Sequence, residues 1–261
     1  MTPRHLPDRS GQTAQNATYV YCLVQSAKSP SLRGAPASIP GAGRPRLLAI
    51  DRGIWAVVAD APLERFTGEQ LQQEMQDVEA ISRHAVAHAA VIEFLFRRAP
   101  VIPLKLFTLF SSDEKVVAHV RIQLATLTRL FAALRGCEEW GVRVIAGEVE
   151  AESARALSSG RDYLQVKKRL NAQTVAPPRA TVRTIDSALR SLGALASKTR
   201  KEMLPVAGRG RPYAAAASFL VLAKRRDAWK KQAAKLAAAL SGEGHRLEMS
   251  GPWPPYHFVS K

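Results

Sequence analysis

The sequence predicts an α+β protein of two domains, each a small mixed or antiparallel sheet with helices, ferredoxin-like or related. Three observations predict it. The chain has 261 residues, long for one domain and comfortable for two. Short runs rich in β-branched and aromatic residues alternate with segments of helical period, in the order βββ-α-β-α and then β-α-α-β-α-β. Stretches rich in proline, glycine and serine separate many of them. The expected organisation is a disordered polar tail at 1–17, an N-terminal domain at 18–136, and a C-terminal domain at 137–261 that ends in the PWPPY segment.

TYVYCLVQ (18–25) reads as a strand. The Pro, Gly, Ser and Arg-rich stretch 27–46 reads as a loop. LLAIDRGIWAVVADAP (47–62) reads as two strands joined at Asp51-Arg52-Gly53. Residues 68–98 carry helical period, with Ile81, Ala85, His88, Ile92 and Leu95 on one stripe, and Pro100 ends the helix. VIPLKLFTLF (101–110) reads as a buried strand with Pro103 at a bulge or edge. Ser111 or Ser112 caps the next helix, Asp113 and Glu114 sit in its first turn, and Gly136 stops it.

The second half opens with the strand EEWGVRVIAG (138–147) and continues with a helix at 150–170, where Tyr163, Val166 and Leu170 share a face. Pro177-Pro178 breaks the chain, and Ile185, Leu189, Leu192 and Ala196 mark a further helix. LPVAGRGRP (204–212) reads as a loop. YAAAASFLVLAKR (213–225) is apolar on both faces, as a central strand is. Trp229, Ala233, Leu236 and Leu240 mark the last helix, and HRLEMS (245–250) alternates as a closing strand.

Composition narrows the function. Hydrophobic residues make up 46% and charged residues 23%, ordinary globular values. The net charge is +16, which points to an acidic partner, an anionic setting or a solubility device. Residues 1–136 hold 16 Lys/Arg and 11 Asp/Glu, a surplus of 5, whereas 137–261 hold 22 and 11, a surplus of 11. The clusters are Lys167-Lys168-Arg169 and the set Lys224, Arg225, Arg226, Lys230, Lys231 and Lys235. Two cysteines make no disulfide framework. The N-terminus has no apolar core of a signal peptide. The longest apolar run, 214–223, is about half a membrane span. These features predict a soluble cytoplasmic protein.

No catalytic constellation can be assembled. The motifs G-x-S-x-G, G-x-x-x-x-G-K-[ST] and C-x-x-C do not occur. His84 and His88, four apart on a helix, are the best metal candidates, yet two ligands are not a tetrahedral set. A hydrogen-bonded core histidine fits His88 better, because it lies on the apolar stripe. Cys22 and Cys137 lie in or beside strands with no basic activating partner and read as buried, inert thiols. No enzyme, cofactor or metal is expected. The basic clusters leave nucleic-acid binding as the alternative. It lacks the aromatic strand residues that stack bases, since strand 214–223 offers only Phe219.

The end of the chain, SGPWPPYHFV (250–259), is stiff and aromatic. In polyproline II geometry three residues make a turn, so Trp253 and Tyr256 would face one way. The segment reads foremost as folding back to seal its own domain, because large exposed apolar patches are rare. A docking strip is the functional alternative. A P-x-x-P ligand built on Pro252 and Pro255 is a third, lacking a flanking Arg to orient it.

GHRLEMSGPWPPYHFV (244–259) resembles the closing motif of the gas vesicle protein L/F family (GvpL/GvpF). The likeness extends to TYVYCLVQ, WAVVADAPL (55–63), HAAVIEFLFRRAPVIPLKLFTLFSSDE (88–114), EEWGVRV (138–144), GRDYLQVKKRL (160–170) and ASFLVLAKRRDAW (217–229), in the same order. It covers about residues 18–259. Cys22 and Phe107 stand where the family usually has Gly, and Lys105 for a common Arg. Phe for Gly in a packed strand implies a repacked neighbour. The resemblance implies a two-domain α+β accessory or minor structural protein of gas vesicles, which are hollow, gas-filled protein shells inside prokaryotic cells. It further implies association with gas vesicles, no catalysis, and binding to the main shell protein during assembly, with other accessory proteins as further partners. Trp253, Tyr256, Phe258 and the helix lysines Lys230, Lys231 and Lys235 are the expected partner-binding residues.

Overall fold

The first sheet is built around TYVYCLVQ, which lies in β1 (Asn16–Gln25). Its residues from Ala17 to Val24 are all buried, as suits a central strand covered on both faces. β1 pairs antiparallel with β3 (Ile54–Pro62), and β3 pairs with β2 (Arg46–Asp51). The β2–β3 turn needs Gly53, whose φ is +79°. β4 (Val101–Pro103) and β5 (Leu109–Phe110) pair with the other edge of β1, so the order is β2-β3-β1-β4 with β5 beside β1. The computed structural model describes residues 16–145, 179–201 and 213–259. The chain divides into two compact units, Met1–Ala133 and Leu134–Lys261. Asn16 and Ala17, assigned to the tail from sequence, pair with Pro62 and Ala61; the rest of that tail lies outside the described residues.

The helical stretch at 68–98 is interrupted. α1 (Leu63–Phe66) and α2 (Gly68–Gln76) precede α3 (Val78–Phe96). Asp77 takes extended dihedrals between α2 and α3, and its carboxylate accepts the Glu79 N–H at 2.9 Å. An Asp that bonds two residues ahead ends one helix and caps the next. The buried face of α3 runs through Ala80, His84, His88, Val91, Ile92 and Leu95. Ala85, placed on the apolar stripe from sequence, is exposed, and His84 is buried instead.

The run 101–110 is not one strand. Residues 104–108 form a turn between β4 and β5, with Thr108 N–H bonded to Lys105 O at 3.2 Å. Phe107 has φ +60°, the left-handed region that Gly enters freely and other residues at a cost of about 1–2 kcal/mol. The expectation of a packed strand at Phe107 is therefore corrected: the position is a turn, and backbone sterics favour Gly there. Its ring stands edge-on to His84 at 5.3 Å.

Ser112 caps α4 (Asp113–Ile122), accepting the Lys115 N–H. Gln123, at φ −101° and ψ 4°, separates α4 from α5 (Leu124–Leu134). Asp113 anchors α4 to the sheet. Arg46 on β2 donates to both of its oxygens at 2.7 and 2.9 Å, Thr18 on β1 donates to it at 2.7 Å, and Arg46 also reaches Asp60 on β3. The Arg46 guanidinium holds the Asp113 carboxyl below the usual carboxylate range.

The second unit contains β6 (Cys137–Ile145), α6 (Arg179–Gly193), β7 (Lys198–Lys201), β8 (Tyr213–Leu222), α7 (Arg226–Gly242) and β9 (Arg246–Trp253). The sheet order is β7-β8-β6-β9, antiparallel throughout. Numbered within the unit it reads 2-3-1-4, the arrangement of a ferredoxin-like β-α-β-β-α-β sandwich. Trp140, Val142 and Val144 of β6 and Ala217, Phe219 and Val221 of β8 meet Ile185, Leu189 and Leu192 of α6 and Trp229, Ala233 and Leu240 of α7 in one core. β7, with sequence KTRK and fully exposed, was not expected as a strand. The expected helix at 150–170, the break at Pro177-Pro178 and the loop 204–212 lie outside the described residues. Among the described residues, no helix is long and apolar enough to cross a membrane.

Candidate partner-binding surface

Alternation along β6 assigns its neighbouring side chains to opposite faces of the second sheet. Glu138 and Trp140 face α7: Glu138 Oε1 accepts from Arg226 Nε at 2.6 Å, and the Trp140 ring lies 5.7 Å from Trp229. Glu139 therefore points to the face away from α6 and α7. It stands in register with Leu220 on β8 and Trp253 on β9.

The C-terminal segment returns across this face. The His257 N–H donates to Glu139 Oε2 at 2.9 Å. Its Nδ1 lies 2.5 Å from Glu139 Oε1; a carboxylate oxygen accepts, so Nδ1–H donates. Arg200 Nη1 on β7 donates to the His257 carbonyl at 2.8 Å. Ser218 Oγ on β8 is 3.3 Å from the same Nδ1. Residues 254–259 thus form a strap fastened over β6, β8 and β7.

The strap is not a polyproline II stripe. Pro255 has φ −76° and ψ 58°, and the Tyr256 N–H bonds back to the Pro254 carbonyl at 2.7 Å. That is an inverse γ-turn, and it removes the three-residue repeat. Tyr256–Phe258 then make one 3-10 turn. Pro254 and Pro255 are buried, Tyr256 and Phe258 are partly buried, and Trp253 at the end of β9 is 40% exposed. The fold-back read from the sequence is present, with Trp253 left outside.

Lys230, Lys231 and Lys235 are exposed on α7, which packs on the other face of the sheet through Trp229, Ala233 and Leu240. Lys230 Nζ lies 5.5 Å from the Trp140 ring centroid. The aromatic set and the lysine set are therefore not one surface. Phe219, the aromatic that a base-stacking strand would need, turns into the core at 5.5 Å from Trp229.

Gly251 permits the strap's start. Its φ is +129°, and a Cβ added there would lie 2.8 Å from the Glu139 carbonyl oxygen and 3.1 Å from the Trp140 ring. Neither the strand backbone nor the core indole yields cheaply. Gly251→Ala is expected to cost the second unit about 1–3 kcal/mol, the scale of a forced backbone conformation. A urea midpoint equal to that of the unsubstituted protein would refute this.

The candidate metal ligands are engaged elsewhere. His88 Nδ1 is 2.7 Å from Tyr19 Oη, and His88 Nε2 is 3.1 Å from the Leu104 carbonyl. A carbonyl only accepts, so Nε2–H donates and Nδ1 accepts the Tyr19 hydroxyl. His84 Nε2 is 2.9 Å from Glu74 Oε2. Among the described residues, no group of three or more His, Cys, Asp or Glu side chains is placed to hold a metal. Burial pushes the Cys22 and Cys137 thiols up, which suits inert core residues.

Sequence reasoning missed Glu139 and His257. The available signal was an acid inside the strand EEWGV, one of two adjacent acids that must face opposite ways, and a single histidine among the prolines and aromatics.

The comparisons with known proteins agree with this architecture. The gas vesicle synthesis protein GvpL/GvpF family model matches residues 17–260. Gas vesicle protein L of Streptomyces sp. (strain CB03234) is 29% identical over 262 residues, covering 92% of this chain and 92% of that protein. The crystal structure of GvpF from Anabaena sp. PCC7120 has TM-score 0.67 at 15% identity, covering 94% of this chain and 97% of its own. GvpF from Microcystis aeruginosa gives 0.65 at 14%, covering 94% and 99%. These two structures share the fold, and the match along nearly the whole chain shows that it belongs to the gas vesicle synthesis protein GvpL/GvpF family.

Proposed function

We propose that this protein is an accessory or minor structural protein that binds the main gas vesicle shell protein during assembly, with the strap side of the second sheet as its contact. The observation that carries the reading is Trp253, a large ring 40% exposed beside a segment fastened down on both its prolines and its histidine. A rigid, half-exposed Trp offers apolar area at small entropic cost, which is what interface anchors do. Tyr256 and Phe258 flank it on the strap. Lys230, Lys231 and Lys235 form a separate contact for acidic groups of the shell protein or of other accessory proteins, weaker because exposed charges are screened. The protein is associated with gas vesicles in the cytoplasm and performs no catalysis.

The test is co-expression with the main shell protein and capture at low and moderately high salt. Trp253→Ala is expected to lower capture about tenfold or more at both salts, the loss of a hot-spot residue. Its effect on thermal stability is expected to be small, because the ring is already half in water. Reversing the three lysines is expected to lower capture at low salt only. Unchanged capture by Trp253→Ala would remove the aromatic contact. Retained nucleic acid, falling steeply with salt, would favour the nucleic-acid reading instead.

A further inference from the structure

We propose that the strap, residues 254–259, is a latch that opens as a unit without unfolding its domain, with the Glu139–His257 contact as the catch. The inference does not rest on the identity of the shell-protein partner.

Three observations carry it. First, the Glu139 carboxylate is buried, at 3% exposure, and among the described residues both of its hydrogen-bond partners belong to His257. Its in-register neighbours, Leu220 and Trp253, carry no charge for it. A buried carboxylate must be hydrogen-bonded or hydrated. With the strap down, His257 satisfies it; with the strap up, water does. A half-lifted strap satisfies neither condition, so the structure favours two discrete positions.

Second, three strands of the sheet meet one residue of the strap. Glu139 on β6 and Arg200 on β7 hold the backbone and ring of His257, and Ser218 on β8 lies against the same ring. The ring carries the bond to Glu139 Oε1 and the approach of Ser218, whereas the bonds to Glu139 Oε2 and from Arg200 use the backbone N–H and carbonyl. Third, the strap carries little regular structure. Its regular structure is one 3-10 turn, Tyr256 and Phe258 are only partly buried, and the prolines supply the apolar contact. Short segments outside the sheet ladder open at lower free energy than the core strands beneath them. Lifting the strap uncovers Ser218 and the ground around Glu139, the part of this sheet face that it covers.

Thiol labelling of the full chain tests this. Ser218→Cys is nearly isosteric and lies directly beneath His257, while the native Cys22 and Cys137 are buried controls in the two units. The S218C thiol is expected to label faster than Cys137, because the strap lifts more often than the unit unfolds. Adding His257→Ala is expected to speed S218C labelling about tenfold or more with Cys137 still slow. His257→Asn, whose amide N–H can replace Nδ1–H, is expected to restore most of the protection. Removing residues 254–261 is expected to leave the S218C thiol fully reactive and Cys137 protected. The proposal is overturned by equal labelling of S218C and Cys137, by H257A without effect, or by a truncated chain that exposes Cys137 as well.

Discussion

Trp229→Ala is expected to cost the second unit about 3–5 kcal/mol, the range for removing a fully buried aromatic side chain. Trp229 is 0% exposed and its ring lies 5.7 Å from Trp140 and 5.5 Å from Phe219, so it joins α7 to both inner strands. Domains have only about 5–15 kcal/mol in total. Much of the population is therefore expected to lose near-ultraviolet circular dichroism under mild denaturant while the first unit stays folded. Trp229→Phe separates two effects. The indole Nε1–H has no hydrogen-bond partner among the described residues, and an unpartnered buried N–H carries a desolvation cost of about 1–3 kcal/mol. Phe loses ring area but removes that cost. The loss for Trp229→Phe is expected to be less than half that for Trp229→Ala. Equal losses in urea unfolding would mean that packing around the larger ring outweighs the unpaired nitrogen.

The elements legible from sequence are those whose cause is local. Gly53 makes the β2–β3 turn because only a residue free at positive φ fits there, and Ser112 caps α4 because its hydroxyl reaches the third amide ahead. YAAAASFLVL reads as central because both its faces are apolar, and it lies between β6 and β7. β7 has no such signature. Lys198–Lys201 is a strand only because β8 offers its free edge, and charged residues suit a position with one side in water. The breaks at Asp77 and Gln123 were hidden because apolar residues recur across them at helical spacing. The turn at Phe107 was hidden because nothing about a Phe announces a left-handed backbone.

The residues of the C-terminal segment stood out in the sequence, but their geometry did not. Three prolines suggested an extended polyproline segment, a reading from local dihedral preference alone. The actual course depends on a bond between residues 118 apart in sequence, Glu139 and His257. Tertiary hydrogen bonding to a buried carboxylate, worth about 1.5–3 kcal/mol, outweighs the local dihedral preference here. The same limit explains the lysines. Charge clustering on α7 was visible, but the face of the sheet that α7 covers depends on the inward direction of Trp140 and Phe219.

The buried polar chain of the first unit yields an acid dependence of defined sign. The Phe107 N–H lies 3.4 Å from Tyr19 Oη, Tyr19 donates to His88 Nδ1, and His88 Nε2–H donates to the Leu104 carbonyl. The His88 ring also stacks on Tyr21 at 5.5 Å and meets Tyr19 edge-on at 5.7 Å. Burial is the main cause that lowers the His88 pKa, and the bond to Leu104 offsets it in part. Protonation would also place a proton on Nδ1 against the Tyr19 hydroxyl, which would have to turn away. The folded pKa is below the unfolded value of about 6.5, so the unfolded chain binds the proton first. The stability that neutral His88 contributes is complete above about pH 6.5 and is lost as pH falls toward the folded value. His88→Ala is expected to cost about 2–4 kcal/mol at pH 7.5, through lost packing and a Tyr19 hydroxyl left without its acceptor. His88→Gln, which keeps one donor and one acceptor, is expected to cost less. Both variants are expected to lose less stability than the unsubstituted protein between pH 7.5 and 5.5, because they lack this titration. Asp113, held low by Arg46, acts in a separate window below about pH 4. Parallel stability profiles for His88→Gln and the unsubstituted protein, from urea unfolding at each pH, would show that His88 is not the group that titrates.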